Sequence, residues 1–386
     1  MAANAGLYIH FPFCLKKCAY CDFYSITDLT LREVFVEALI HEMELLRNSP
    51  FTFDTIYLGG GTPSVLPAKA IDRLLSRAFT IFNIQNDAEI TIEANPGTVD
   101  EASLLNYRQA GINRINLGVQ SFSAAALKFL GRIHTADVAV SAIVSARKAG
   151  FDNLGLDLIY GIPGQDPASW ENDLQRAVDC SPEHLSCYTL TFEKGTPLGK
   201  MMAEGRVAPL DDTAVAELFK LTQNFLSQHG YEQYEISNFA RTSHEGNTAA
   251  DRNFYRSRHN QKYWSSAPYI GLGPAAHTFI DPERCWNVPD LETYLSRLQK
   301  GVLPVAESET LTTEQRLMET LYLSMRTIDG IDIPRLEETF DLDFHARYAD
   351  ALQELARRGL LIVTDTRSVP TPRGMRFVDT IIGEFI

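Results

Sequence analysis

From Leu7 onward, short aliphatic and β-branched runs alternate with longer amphipathic stretches, the periodicity of βα units laid around a parallel sheet. Strands are expected at 7–9, 55–58, 89–93, 114–117, 154–158 and 184–188. Helices are expected at 31–47, 68–82, 100–110, 136–149 and 169–179, the last reading as capped at Ser169 with Pro167 just ahead. The pattern predicts an α/β fold. About six βα units fit a partial, three-quarter TIM-type barrel better than a closed eight-stranded one.

Beyond residue 190 the regular alternation stops. One long helix is expected at 211–229 and a strand at 232–236, followed by a loop-rich stretch. From about residue 312 the order becomes helix, short helix, helix and then a short apolar hairpin, which predicts a small winged-helix-like α+β domain. The expected division is a barrel over 1–236, a loop-rich extension over 237–300 and the small C-terminal domain over 301–386.

Composition narrows the classes of function. The 386 residues are 45% hydrophobic and 22% charged, which is enough apolar material for a large core. A formal charge of -14 argues against a nucleic-acid surface, though not against a local basic pocket. The N-terminus has no basic segment leading into an apolar one, and no run of some 18 apolar residues occurs, so a cytoplasmic protein outside the membrane is expected. Of six cysteines, Cys180, Cys187 and Cys285 are scattered singly and read as reduced, buried thiols. Oligomeric state is left open by the sequence.

The other three cysteines carry chemistry. Cys14, Cys18 and Cys21 crowd one short loop directly after the first expected strand. Thiolates are the usual ligands of iron-sulfur clusters, and three of them around four irons leave one iron open to a small molecule. The alternative is a structural Cys3His zinc with His10 as fourth ligand. Other punctuated segments follow later strands: Gly59-Gly60-Gly61-Thr62-Pro63, Asn95-Pro96-Gly97, Gln120 and Tyr160-Gly161-Ile162-Pro163-Gly164. In βα architectures the site lies at the strand C-termini, where these segments fall.

C-x3-C-x2-C with Tyr20 just before the third cysteine resembles the signature of the radical S-adenosylmethionine (SAM) superfamily. The flanking Tyr8-Ile9-His10-Phe11-Pro12-Phe13-Cys14 is similar to the branch of oxygen-independent coproporphyrinogen III oxidase and its relatives. The resemblance implies a [4Fe-4S] cluster on Cys14, Cys18 and Cys21 and SAM on its open iron, cleaved by an electron from the cluster. It also implies SAM contacts from Tyr8, Tyr20, Gly60, Gly61, Thr62, Glu93, Gln120, Arg132 and Asp157. No separate catalytic residue is assigned. The glycine triplet, as a sequence feature, would let backbone amides approach a charged ligand or would simply form a tight turn.

Two features depart from the oxidase. Phe23 stands where the oxidase has a fourth cysteine, and the chain starts only a few residues before its first strand. Both are similar to the paralogous heme chaperone branch. His259-Asn260-Gln261-Lys262-Tyr263-Trp264 resembles the H-N-x-x-Y-W motif that this branch associates with heme, which implies heme contacts from His259, Tyr263 and Trp264. On chemistry alone, a histidine in an aromatic segment is either a packed core residue or an iron ligand. Arg252, Arg256, Arg258 and Lys262 make the segment locally basic and suit heme propionates or a solvated loop equally well. The resulting expectation is a chaperone that binds heme, a [4Fe-4S] cluster and SAM and passes heme to acceptor proteins. The alternative is an oxidase that decarboxylates coproporphyrinogen III to protoporphyrinogen IX.

Overall fold

Six successive strands pair in parallel and in chain order: β1 (Asn4–Phe11), β2 (Thr52–Gly60), β3 (Asn83–Ala94), β4 (Arg114–Gln120), β5 (Leu154–Tyr160) and β6 (His184–Thr189). This computed structural model describes residues 4–242 and 255–385. Helices Arg32–Leu45, Ala68–Ile81, Glu101–Gln109, Ala136–Lys148 and Pro167–Asp179 lie between consecutive strands, as the periodicity predicts. The fold is α/β, a partial barrel.

Alternation along each strand decides what each face does. Leu7, Ile9, Ile56, Leu58, Ile90, Ile92, Ile115 and Leu117 point outward and pack with Phe35, Leu39 and Leu74 of the helices in one large core. The intervening positions, Tyr8 and His10, Thr55 and Tyr57, Thr91 and Glu93, Arg114 and Asn116, face the opposite way and give the barrel a polar interior.

Two details differ from the expectations. Helix Pro167–Asp179 is capped by Asp166, not Ser169: the Asp166 side chain accepts from the Ser169 amide, the Ser169 hydroxyl accepts from the Asp166 amide, and Pro167 occupies the first turn. Proline suits that position because its missing N–H would be unpartnered there anyway. Among the isolated cysteines, only Cys187 is fully buried; Cys180 and Cys285 are half-buried.

Among its described residues, the stretch read as loop-rich, 237–300, is largely strand and helix. β7 (Tyr231–Glu235) and β8 (Asn238–Arg241) add antiparallel strands beside β6. On the other edge, β9 (Tyr269–Leu272) pairs parallel with β1, and β10 (His277–Ile280), β11 (Glu283–Asn287) and β12 (Val305–Thr310) continue antiparallel. Strands of four to six residues are too short to display a period clearly, and β8 and β9 join the sheet beside β6 and β1, far away in sequence. Between them sit helices Arg258–Trp264 and Leu291–Gln299.

The edge extension is fastened by one buried acid. Glu42 accepts from the Gly273 amide at 2.8 Å, the Asn287 amide group at 2.7 Å and the Tyr294 hydroxyl at 2.6 Å. Residues after 311 form a second core around Leu321, Met325, Phe344 and Leu355. It is built from helices Thr313–Met325, Ile333–Phe340 and Ala349–Arg357 and a small antiparallel sheet of β13 (Ile331–Asp332), β14 (Leu361–Val363) and β15 (Arg367–Pro370). No helix among the described residues is long and apolar enough to cross a membrane.

Candidate functional site

Leaving β1 at Phe11, the chain turns back on itself: Ile26 donates to the Pro12 carbonyl at 2.7 Å and the Cys14 amide to the Ile26 carbonyl at 2.9 Å. The cysteines ride on this closed loop at the C-terminal ends of the strands. All three thiols are free, Cys14 buried and Cys18 and Cys21 half-buried. Thr62 Oγ1 lies 3.4 Å from Cys14 Sγ, and Arg132 donates to Cys18 Sγ at 3.2 Å and to the Gly118 carbonyl at 2.8 Å. Burial pushes the Cys21 thiol up, the Phe23 amide pulls it down, and the facing sulfurs of Cys18 and Cys14 push it up again. Three soft sulfurs that share one field, with a cation and a hydroxyl donor already beside two of them, fit an iron-sulfur cluster.

His10 does not belong to a zinc set. Its Nε2 donates to the Tyr24 carbonyl at 2.9 Å and its Nδ1 accepts from the Tyr8 hydroxyl at 3.1 Å, which leaves no lone pair for a metal. Phe23 is 66% exposed beside the loop.

Of the two expectations for the glycine triplet, its backbone bonds favour the turn. The Gly61 amide donates to the Phe11 carbonyl at 2.7 Å and the Thr62 amide to the Phe13 carbonyl at 2.8 Å, while the Gly60 amide serves the Glu93 carboxylate. These amides hold the cysteine loop and an acid rather than facing a ligand. Side chains are excluded by contact: a Cβ at Gly61 would stand 2.8 Å from both carbonyl oxygens, and one at Gly60, where φ is +104°, would stand 2.6 Å from the His10 ring.

Glu93 and Asp157 lie inside the barrel just below. Burial pushes Glu93 up to about 7, against a hydrogen bond from the Tyr57 hydroxyl at 2.7 Å. Burial likewise raises Asp157 to about 6, against a Ser186 hydrogen bond and the charges of Arg114 and Arg132. Gln120 sits at a bulge with a φ of +69°, its amide and the Arg132 guanidinium both close to Gly118. The structure therefore gathers Gly60, Gly61, Thr62, Glu93, Gln120, Arg132 and Asp157 around the cysteine end of the barrel. Tyr20 lies beside Arg132 and Cys18. Tyr8 lies deeper, stacked 6.2 Å from Tyr57.

The H-N-x-x-Y-W segment forms helix Arg258–Trp264, capped by Ser257, at the opposite end of the strands. His259 is fully buried beside Gly6 and Thr55, near the start of β1. Its Nδ1 shares a 2.8 Å hydrogen bond with Thr55 Oγ1, its Nε2 a 3.0 Å bond with the Tyr263 hydroxyl, and its amide donates to Glu89 at 3.1 Å. Burial, then the charge of Lys262, pulls the ring down to about 3, so it is neutral. Neither nitrogen is open to iron in this conformation.

The basic residues are also engaged. Arg256 is buried between Glu232 and Asp329, at 3.0 Å from each, with its guanidinium over the Tyr234 ring. Lys262 pairs with Asp54 at 2.6 Å, and Arg258 donates to the Asp87 carbonyl at 2.8 Å. Arg252 lies outside the described residues. The segment is thus a neutralised floor of the barrel rather than a free cationic patch. Trp264 instead borders a cleft of about 610 Å³ between this helix and the C-terminal domain, with Phe279, Arg316, Arg335 and Phe340 among its walls.

Sequence reasoning passed over Tyr57, Thr55, Ser186 and Arg114, which build the interior. The signal was present in the polar residues recurring at every second position of strands otherwise made of Ile and Leu.

The family model described as the radical SAM superfamily matches residues 8–177, and that of the HemN C-terminal domain matches residues 311–377. The chain is 31% identical over 384 residues to the heme chaperone HemW of Bacillus subtilis, covering 98% of each. It is 38% identical over 283 residues to the heme chaperone HemW of Escherichia coli, covering 72% of this chain and 71% of that one. Among solved structures, coproporphyrinogen III oxidase (HemN) from Escherichia coli matches with a TM-score of 0.84 at 23% identity, covering 100% of this chain and 90% of that one, a likeness of fold.

Proposed function

This chain belongs to the family of the heme chaperone HemW within the radical SAM superfamily, and from that premise we propose that it takes up heme and hands it to acceptor proteins. Cys14, Cys18 and Cys21 would hold a [4Fe-4S] cluster, and the neighbouring interior acids would serve the SAM bound with it. When bound, these groups supply an open iron and a one-electron reductant. The chain's own residues do the rest: Thr62 and Arg132 stand beside the sulfurs of Cys14 and Cys18 and would donate to them as cluster ligands, and the Glu93 carboxylate would accept from hydroxyls of SAM. Tyr8, Tyr20, Gln120 and Asp157 shape the remaining walls of the same pocket. Reduced thiols at this loop suit the cytoplasm.

The observation that carries the chaperone reading over an oxidase is the placement of the H-N-x-x-Y-W helix. It closes the barrel floor beside Gly6, whereas the cysteine loop leaves from Phe11, about 17 Å further along β1 at the usual rise per residue. A tetrapyrrole held at the outer face of this helix would be out of reach of chemistry at the mouth. The cleft bordered by Trp264 suits such a guest, with aromatic walls for the porphyrin plane and Arg335 for a propionate. His259 and Tyr263 then carry the helix that presents Trp264.

The test is anaerobic reconstitution followed by iron, sulfide and heme titration and transfer to candidate apo-acceptors. Stoichiometric heme binding with transfer, and no protoporphyrinogen formed from coproporphyrinogen with SAM and a reductant, is the expected result. Turnover of coproporphyrinogen would favour the oxidase.

A further inference from the structure

We propose that His259 is a positioning residue for Glu93 at the mouth of the barrel, acting through Tyr57. The proposal rests on the reading that the mouth binds SAM, and it gives a residue of the heme-associated motif a role on the SAM side.

Three observations build the relay. The His259 and Tyr57 rings are stacked, with centroids 5.1 Å apart and planes 29° from parallel. The Tyr57 hydroxyl then donates to Glu93 Oε1 at 2.7 Å. Opposite this stack, the strand leaves no room: a Cβ at Gly59 would stand 2.9 Å from the Tyr57 ring and 3.2 Å from Glu93 Oε2. Tyr57 is therefore held between the imidazole and the backbone of its own strand, which aims its hydroxyl at a single carboxylate oxygen.

The imidazole is in turn held as a fixed plate. Thr55 and Tyr263 take its two nitrogens, Glu89 takes its amide, and the Lys262–Asp54 pair ties the helix to β2. Gly6 admits the ring, since a Cβ there would stand 3.0 Å from its Cε1. A carboxylate aimed this way is ordered before its ligand arrives, so binding loses less conformational freedom. Thr55 and Tyr263 on its two nitrogens fix the orientation of one neutral ring, and the face of that ring meets Tyr57, the residue that touches Glu93.

The test uses the full-length reconstituted protein and equilibrium binding of SAM, with cluster content followed by iron and sulfide. Tyr57→Phe keeps the stacked ring and removes the hydroxyl; His259→Ala removes the plate. Each is expected to weaken SAM binding on the order of tenfold, the size of one lost hydrogen bond to a charged group, with cluster content unchanged. The double variant is expected to bind no more weakly than the worse single one, because both changes break the same relay.

The pH profile supplies a readout that a purely structural role would leave in place. Glu93 faces Tyr8, Tyr57, Tyr188, Tyr263 and Asp157, and of these only Asp157 ionises in the same range. SAM affinity should rise with pH as Glu93 loses its proton near 7, and the rise should move to higher pH in both single variants, since the Tyr57 bond holds that pKa down. Wild-type affinity and pH profile in the folded Tyr57→Phe protein overturn the proposal even if His259→Ala fails to fold. Additive losses in the double variant also overturn it. So does a His259→Ala protein whose heme spectrum changes while SAM binding stays intact, which would make His259 an iron ligand. If wild-type protein itself binds no SAM, the reading of the mouth fails instead.

Discussion

Thr62 Oγ1 stands 3.4 Å from the sulfur of Cys14, although 48 residues separate them, because two backbone bonds lock the glycine loop after β2 onto the cysteine loop after β1. With Cys14 as a thiolate on iron, the hydroxyl is the donor, and hydrogen bonds to cluster sulfurs help to set the reduction potential. Thr62→Val is expected to retain full iron and sulfide and to lower the cluster's midpoint potential, measured by redox titration. Cys14→Ala is expected to lower iron and sulfide several-fold. A Cys14→Ala protein that kept its cluster would contradict the ligand assignment.

Arg256 joins β7 to the C-terminal domain through Glu232 and Asp329, buried with its guanidinium over the ring of Tyr234. Arg256→Ala is expected to cost about 2 kcal/mol in urea unfolding, less than for a fully buried pair because both acids retain contact with water. Heme titration of the same variant should give wild-type affinity. A selective loss of heme with unchanged stability would instead make Arg256 a propionate partner.

Glu42 gives a pH dependence unrelated to any ligand. Burial raises its pKa to about 7 in the folded protein, against hydrogen bonds from Tyr294, Gly273 and Asn287. Its unfolded value is near the ordinary 4.5. Between these values the native state keeps a proton that the unfolded state has released, so stability falls as pH rises through that window and levels off above it. Glu42→Gln mimics the protonated acid. Its stability relative to wild type should therefore improve from pH 5 to pH 8 by up to about 3 kcal/mol and then stay constant, as read from denaturation midpoints. A difference independent of pH would place the Glu42 titration outside this range.

Trp264 is the motif residue that borders the cleft, and its ring also meets Tyr234 edge-on at 5.7 Å. Trp264→Ala is expected to weaken heme binding at least about tenfold, in line with the loss of an aromatic anchor, and to leave SAM affinity unchanged. Metal-free protoporphyrin should compete with heme for the same cleft, because the walls recognise the ring and its carboxylates rather than the iron. Unchanged heme affinity in Trp264→Ala would remove the cleft from consideration.

The chain-local features were legible from the residues in order. The βα rhythm, with Ile and Leu on one strand face, set the six parallel strands and their helices, because strand and helix periods are local properties. Cys14, Cys18 and Cys21 were readable for the same reason, since eight successive positions of one loop contain all three thiols. Asp166 rather than Ser169 caps its helix because Pro167 already occupies the first turn, which leaves Ser169 at the third helical position as the partner of the cap.

What the tertiary structure alone decided is which partners each side chain meets. The sequence gives no distance from His259 to Thr55, Tyr57 and Tyr263, and so could not distinguish an iron ligand from a sealed core ring; burial and two satisfied nitrogens made that difference. Arg256 suited propionates or a solvated loop equally well in the sequence, and the fold gives its charge to neither but to Glu232 and Asp329 on either side of it. The glycine triplet allowed either ligand approach or a tight turn, and the bonds of the Gly60 and Gly61 amides to Glu93 and Phe11 are set by the fold. Residue type and local period fix what a position can do, whereas hydrogen bonds and ion pairs saturate with whichever groups the fold brings near, and that choice is long-range.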